Sequence, residues 1–190
     1  MQITDLKTLD YPPLTNDLEE AKSHLDKYGM ALIKDVLSRE EVEEMDQRLN
    51  EQFLGEEKYQ VGSKIRGDEG FGIESSEEEK VSRLVWNLIN KGDCFLKLID
   101  HPKILPLIQH MIGERVCLCS MGAHMNGSGN ERMALHQDQW PLVPHPMKFP
   151  FMANVMYLIS DNSPENGGTR LIPGSHKWPL IDYKLSLIHI

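Results

Sequence analysis

Apolar residues recur every three or four positions in the first part of the chain, a spacing that predicts amphipathic helices. One such stripe starts after Asn16, which has Glu19 as its capping partner, and ends at Gly29. Ser38 and Glu41 repeat the capping pattern and predict a second helix. The apolar stripe of this second helix consists of Val42, Met45, Leu49 and Phe53.

The pattern between and after these helices predicts shorter elements. Residues 30–33 form an apolar run typical of a short strand, and residues 55–80 are rich in Gly, Glu, Ser and Lys, which predicts an exposed loop. A fourth helix is predicted over residues 95–111, with an interruption at His101 before a proline. Between the loop and that helix, a third helix is predicted from the apolar face Val81, Leu84, Val85, Leu88 and Ile89.

The remainder of the chain has the pattern of strands. Residues 115–125 form a short apolar run typical of a strand, and residues 134–140 and 151–159 are also predicted to be strands. Turns rich in Gly and Pro separate them at residues 126–129 and 141–150. Helices followed by closely spaced strands predict an α+β fold with a β-sandwich or barrel core.

Composition narrows the class of protein. The 190 residues, 40% hydrophobic and with a formal net charge of -9, suit one globular domain and argue against a nucleic-acid binder. No apolar run reaches the length of a membrane span, and the first residues lack the pattern of a secretory signal. Three cysteines without a framework spacing predict reduced thiols, so the expected location is the cytoplasm.

The segment LHQDQW at residues 135–140 carries the candidate chemistry. Side chains alternate between the two faces of a strand, so His136 and Asp138 are predicted to point the same way. One imidazole and one carboxylate side by side supply two corners of a 2-His-1-carboxylate iron site. A second triplet of this kind, His24 to Asp26, lies in a predicted helix, where it is expected to be a surface pair.

The surrounding motifs resemble those of the phytanoyl-CoA dioxygenase family. Downstream of the His-x-Asp strand come an apolar strand, an Asp, and the run ENGGTRLIPGSH at residues 165–176. Upstream, the resemblance includes VWNL at residues 85–88, Lys91-Gly92, and the stretch from His101-Pro102 to Ile112-Gly113. It covers about residues 15–180, beginning with the opening helix.

The resemblance implies a double-stranded β-helix core, of the jelly-roll or cupin-like type, with packed N-terminal helices. Within a single domain over residues 1–190, the helical flank with its early strand would occupy residues 1–112. The first part of the core would occupy residues 113–190. The implied cofactors are Fe(II) and the co-substrate 2-oxoglutarate.

The resemblance also assigns roles to individual residues. His136 and Asp138 match the first two iron ligands, and Asn154 lies on a strand that faces 2-oxoglutarate in similar proteins. Gln139 and Trp140 follow the ligand strand and would line the substrate pocket. The oligomeric state and the substrate are left open.

The end of the chain departs from the family pattern. The family has a second iron-binding histidine and a basic residue that binds 2-oxoglutarate, both beyond the Pro-Gly-Ser-His loop. His176 in that loop is structural in similar proteins, and His189 lacks the expected neighbouring strand. A core truncated at the C-terminus is therefore expected, with no histidine of residues 177–190 reaching the iron site.

Three interpretations remain after this comparison. The leading one is a dioxygenase that uses molecular oxygen to hydroxylate a small organic substrate, with little activity in the truncated form. The second is a non-redox, cupin-like metal-binding protein. The third is a non-catalytic fragment.

Overall fold

The computed structural model describes residues 10–61, 63–66, 81–126, 138 and 149–177. Its helices and strands, in chain order, are β1 (Leu14–Thr15), α1 (Leu18–Tyr28), β2 (Leu32–Ile33), α2 (Arg39–Tyr59), β3 (Ser63–Arg66), β4 (Val81–Trp86), α3 (Asp93–Leu96), α4 (Leu105–Ile112) and β5 (Gly122–Met125). Short 3-10 helices lie at Leu88–Asn90, Pro164–Asn166 and Ser175–Lys177.

Helix α1 begins one residue later than its sequence predicts. The Asp17 carboxylate, not Asn16, accepts the capping hydrogen bond from the Glu20 N–H at 2.8 Å. Gly29 ends the helix with φ 75, a left-handed conformation that suits glycine. Strands β1 and β2, which precede and follow α1 in the chain, pair in parallel.

Helix α2 supplies the largest part of the core. Its capping box is confirmed, because the Ser38 side chain accepts from the Glu41 N–H and the Glu41 carboxylate accepts from the Ser38 N–H. The core cluster consists of Met45, Leu49, Phe53, Val85, Leu88, Cys94, Phe95 and Leu98. The predicted apolar stripe of α2 is thus confirmed at three of its four positions, and Val42 is half-buried.

The third predicted helix is wrong. Residues Val81–Trp86 form β4, the central strand of an antiparallel sheet with the order β3-β4-β5. Leu84 and Val85 are neighbours with 3% and 0% exposure, so β4 is buried on both faces. A short apolar run that is buried on both faces has no period-2 pattern, which makes it indistinguishable from a buried helix by spacing alone.

The predicted loop over residues 55–80 is wrong at its beginning. Helix α2 continues to Tyr59, and Ser63–Arg66 form β3, which pairs with β4. The rest of that loop, apart from Gln60 and Val61, lies outside the described residues. The predicted break in the fourth helix is confirmed, since α3 and α4 are separate and His101 lies between them.

The strand predictions hold only in part. β5 occupies the last four residues of the predicted strand 115–125, and residues 151–159 have no regular secondary structure. Residues 134–140 lie outside the described part, except for Asp138, which occupies a turn. The mixture of helices and strands agrees with the α+β class. The two small sheets form no closed barrel within the described ranges, so they do not confirm a double-stranded β-helix.

The prediction for the second His-x-Asp triplet, His24 to Asp26 in α1, is also wrong in part. Asp26 is exposed, but His24 is only 8% exposed and contacts the edge of Tyr28. Helical residues three and four apart share a face, so His24 lies on the buried stripe with Ala21 and Tyr28.

None of the helices in the described part is long and apolar enough to cross a membrane.

Candidate functional site

The structure brings two of the predicted site residues into contact. The Asn154 side-chain amide donates a hydrogen bond to the Asp138 carboxylate, with 2.6 Å between Nδ2 and Oδ2. Both side chains are exposed, and 16 residues separate them in sequence. The other predicted residues of the site, His136, Gln139 and Trp140, lie outside the described residues.

The segment that carries Asn154 is anchored to the helical part of the molecule by Tyr157. The Tyr157 hydroxyl donates to the Leu98 carbonyl at 2.8 Å, and the Tyr157 ring lies edge-on to His101. Burial raises the pKa of Tyr157 to about 12. Tyr157 and Ile159 both pack against the core cluster, so the segment is held three residues away from Asn154. Sequence reasoning assigned no role to Tyr157, although its alternation with the exposed Met156 and Leu158 could have indicated a buried face.

A second contact joins β5 to the turn that contains the Glu-Asn-Gly motif. The Asn126 amide, directly after β5, donates to the Gly167 carbonyl at 3.1 Å. Gly167 has φ 80, and a Cβ on Gly168 would lie 2.8 Å from the Ser163 carbonyl oxygen. This turn therefore requires glycine at both positions, one for its conformation and one for space.

The Pro-Gly-Ser-His loop packs on the end of α1. The Gly174 N–H donates to the Tyr28 carbonyl at 2.7 Å, and His176 Nε2 lies 3.4 Å from the Asp26 carbonyl oxygen. A Cβ on Gly29 would lie 2.3 Å from His176 Nδ1. His176 thus contacts α1, in agreement with its predicted structural role.

The donor set at Asp138 suits a divalent cation but is not complete within the described residues. A carboxylate oxygen is a hard ligand, and Asn154 is a neutral donor that leaves the negative charge of Asp138 in place. Across the described ranges, no group of three or more His, Cys, Asp or Glu side chains is arranged to hold a metal ion. The contact of Asn154 with 2-oxoglutarate stays a prediction. The amide has two N–H groups and one carbonyl oxygen, so the bond to Asp138 does not use all of its hydrogen-bonding groups.

The chain matches the sequence profile of one known protein family. The sequence profile of the phytanoyl-CoA dioxygenase family matches residues 25–186, which include every predicted site residue. No solved structure matches the chain.

Curated relatives carry names of the same class. The chain is 29% identical over 165 residues to "Dioxygenase af480" of Aspergillus fumigatus, covering 87% of this chain and 51% of that protein. It is 27% identical over 173 residues to a "Probable alpha-ketoglutarate-dependent hypophosphite dioxygenase" of Stutzerimonas stutzeri, covering 87% of this chain and 56% of that protein. The chain therefore spans about half the length of these relatives.

Proposed function

Because the chain belongs to the phytanoyl-CoA dioxygenase family, we propose that it carries part of the active site of an Fe(II)- and 2-oxoglutarate-dependent dioxygenase. The observation that carries this proposal is the exposed Asp138 carboxylate, held by Asn154 at 2.6 Å beside a segment fixed to the core. The relative whose name includes alpha-ketoglutarate supports the choice of co-substrate.

The proposed roles follow the chemistry of each side chain. His136 and Asp138 hold the iron ion, and Gln139 and Trp140 line the pocket for a small organic substrate. Bound iron and 2-oxoglutarate would supply oxidation by molecular oxygen, with succinate and carbon dioxide as co-products and a hydroxylated substrate as the main product. The chain's own residues position these groups.

The proposed fold places these residues in a double-stranded β-helix core. Over residues 156–159, Met156 and Leu158 are exposed while Tyr157 and Ile159 are half-buried, which is the alternation of a strand. In this proposal the second histidine and the basic residue for 2-oxoglutarate are not supplied by residues 177–190. The partners are small molecules and oxygen, with no role for nucleic acid or a membrane.

The test is the release of succinate from 2-oxoglutarate. It compares the 190-residue chain with the longest form that its gene encodes, each with Fe(II) in the presence and absence of oxygen. We expect succinate only with oxygen, chiefly from the longer form, and at least a hundredfold less after Asp138→Ala or His136→Ala, because each change removes an iron ligand.

The alternatives give different results. Metal binding at Asp138 without any turnover of 2-oxoglutarate would indicate the non-redox, cupin-like protein. Equal succinate release from the wild type and from Asp138→Ala would contradict the proposal. Release by the 190-residue chain that depends on His189 would show that His189 is the third ligand.

A further inference from the structure

We infer that Asn154 is a positioning residue for the iron ligand Asp138, which deepens and rests on the proposed function. Its amide lies 2.6 Å from Oδ2 of the carboxylate, a short distance for a hydrogen bond to an ionised acceptor. The resemblance to the family suggested a contact with 2-oxoglutarate for this residue. The contact with Asp138 assigns it a role towards the metal ligand itself.

The chemistry of the amide suits this role. Asn154 is uncharged, so it orients the carboxylate without cancelling the charge that attracts the cation. A Lys or Arg at the same place would form an ion pair and compete with the metal ion for the carboxylate.

The anchoring of the segment makes the positioning effective. Asn154 lies three residues before Tyr157, whose hydroxyl is bonded to the Leu98 carbonyl at 2.8 Å and whose ring packs on the core cluster. The amide is therefore held by the helical part of the molecule, while Asp138 lies in a turn. A fixed donor reduces the freedom that the ligand would lose when the metal binds.

The chain contains a matched control for this contact. On the exposed side of α2, the Asn50 amide donates to the Asp46 carboxylate at 3.2 Å. This pair has the same chemistry but lies on α2, a helix that contains no histidine. Asn50→Ala removes the same kind of bond, and we expect it to leave metal affinity unchanged.

The experiment titrates the longest form that the gene encodes with Mn²⁺, a paramagnetic stand-in for Fe(II), and measures the broadening of backbone NMR signals near Asp138. It compares the wild type with Asn154→Leu, Asn154→Gln, Asn50→Ala and Asp138→Ala. We expect 10- to 100-fold weaker binding for Asn154→Leu, the usual effect of losing a partner of a metal ligand, and partial recovery in Asn154→Gln, which keeps a donor.

A second measurement separates positioning from folding. The thermal unfolding midpoint of Asn154→Leu should equal that of the wild type, because the side chain is exposed. Unchanged Mn²⁺ affinity in Asn154→Leu, together with lost affinity in Asp138→Ala, would overturn the positioning role and leave the proposed function standing. Unchanged affinity in Asp138→Ala, or no broadening near Asp138 in the wild type, would overturn both.

Discussion

At the scale of single residues, a backbone contact joins two motifs that are distant in sequence. The Tyr28-Gly29 end of α1 and the Pro-Gly-Ser-His loop meet through the bond from the Gly174 N–H to the Tyr28 carbonyl. Gly29 is constrained twice, by φ 75 and by the His176 ring that lies where a Cβ would be. Together they fix the loop on the end of α1.

Gly29→Ala should therefore destabilise the protein by about 1–3 kcal/mol, the cost of a left-handed conformation for a residue with a Cβ plus the clash with His176. Urea unfolding followed by circular dichroism would measure this change in the free energy of unfolding. In the background of His176→Ala the penalty should be smaller, because the clash is gone and only the backbone strain remains.

Gly55→Ala is the matched control. Gly55 lies within α2 and has no atom within 4 Å of an added Cβ, so alanine should stabilise the helix by up to about 1 kcal/mol. If Gly29→Ala, like Gly55→Ala, did not lower the free energy of unfolding, the account of the contact between α1 and the Pro-Gly-Ser-His loop would be contradicted.

Two residue-scale predictions that rest on local signals are confirmed, although the cap of α1 is Asp17 and not the predicted Asn16. The capping box of Ser38 and the glycine end at Gly29 depend on neighbouring residues, and both are confirmed. The prediction that His24 lies on the surface is wrong, because an apolar stripe does not include histidine and so does not show that His24 belongs to the buried face of α1. Its aromatic ring packs against Tyr28, a contact that the polarity of histidine does not indicate.

At the scale of elements, the difficult cases are segments whose partners are distant in sequence. β4 is a central strand because β3 and β5 pair with it on both sides, and no pattern within β4 itself contains that information. For residues 156–159, the alternation of exposed and half-buried side chains is typical of a strand with one face against the core. A strand also requires a hydrogen-bonded neighbouring strand, and residues 151–159 do not form a strand in the structure.

The bond from Tyr157 to Leu98 is a polar anchor of that segment, and it predicts a pH dependence of stability. Because burial raises the pKa of Tyr157 from 10.0 to about 12, the unfolded chain ionises first as the pH rises. The contribution of this group is fully present below pH 10 and is lost as the pH rises from about 10 to about 12.

Tyr157→Phe should cost about 0.5–1.5 kcal/mol at neutral pH, since it leaves the Leu98 carbonyl without this donor. The difference in unfolding free energy from the wild type should then shrink above pH 10. Tyr59, which is 70% exposed, provides the control, and Tyr59→Phe should show no such trend. A difference that stays constant between pH 8 and pH 11.5 would contradict the anchoring role.

At the scale of the whole molecule, sequence and structure agree on a mixed helical and stranded chain. One sheet joins β3 and β4, from the predicted helical flank, to β5, from the predicted core. The candidate site was predicted from strand alternation and family resemblance, and the structure adds the bond between Asn154 and Asp138. That bond could not be predicted, because it depends on how two segments 16 residues apart approach each other in space.

The central claim is that His136 and Asp138 share one iron ion that also binds 2-oxoglutarate. The most direct measurement is the visible charge-transfer absorption of Fe(II) chelated by 2-oxoglutarate, recorded without oxygen on the longest form that the gene encodes. We predict that this absorption appears in the wild type and is absent in His136→Ala and Asp138→Ala. It should be retained in Asp26→Ala, which alters the other His-x-Asp triplet, in α1. Its persistence in Asp138→Ala would contradict the account.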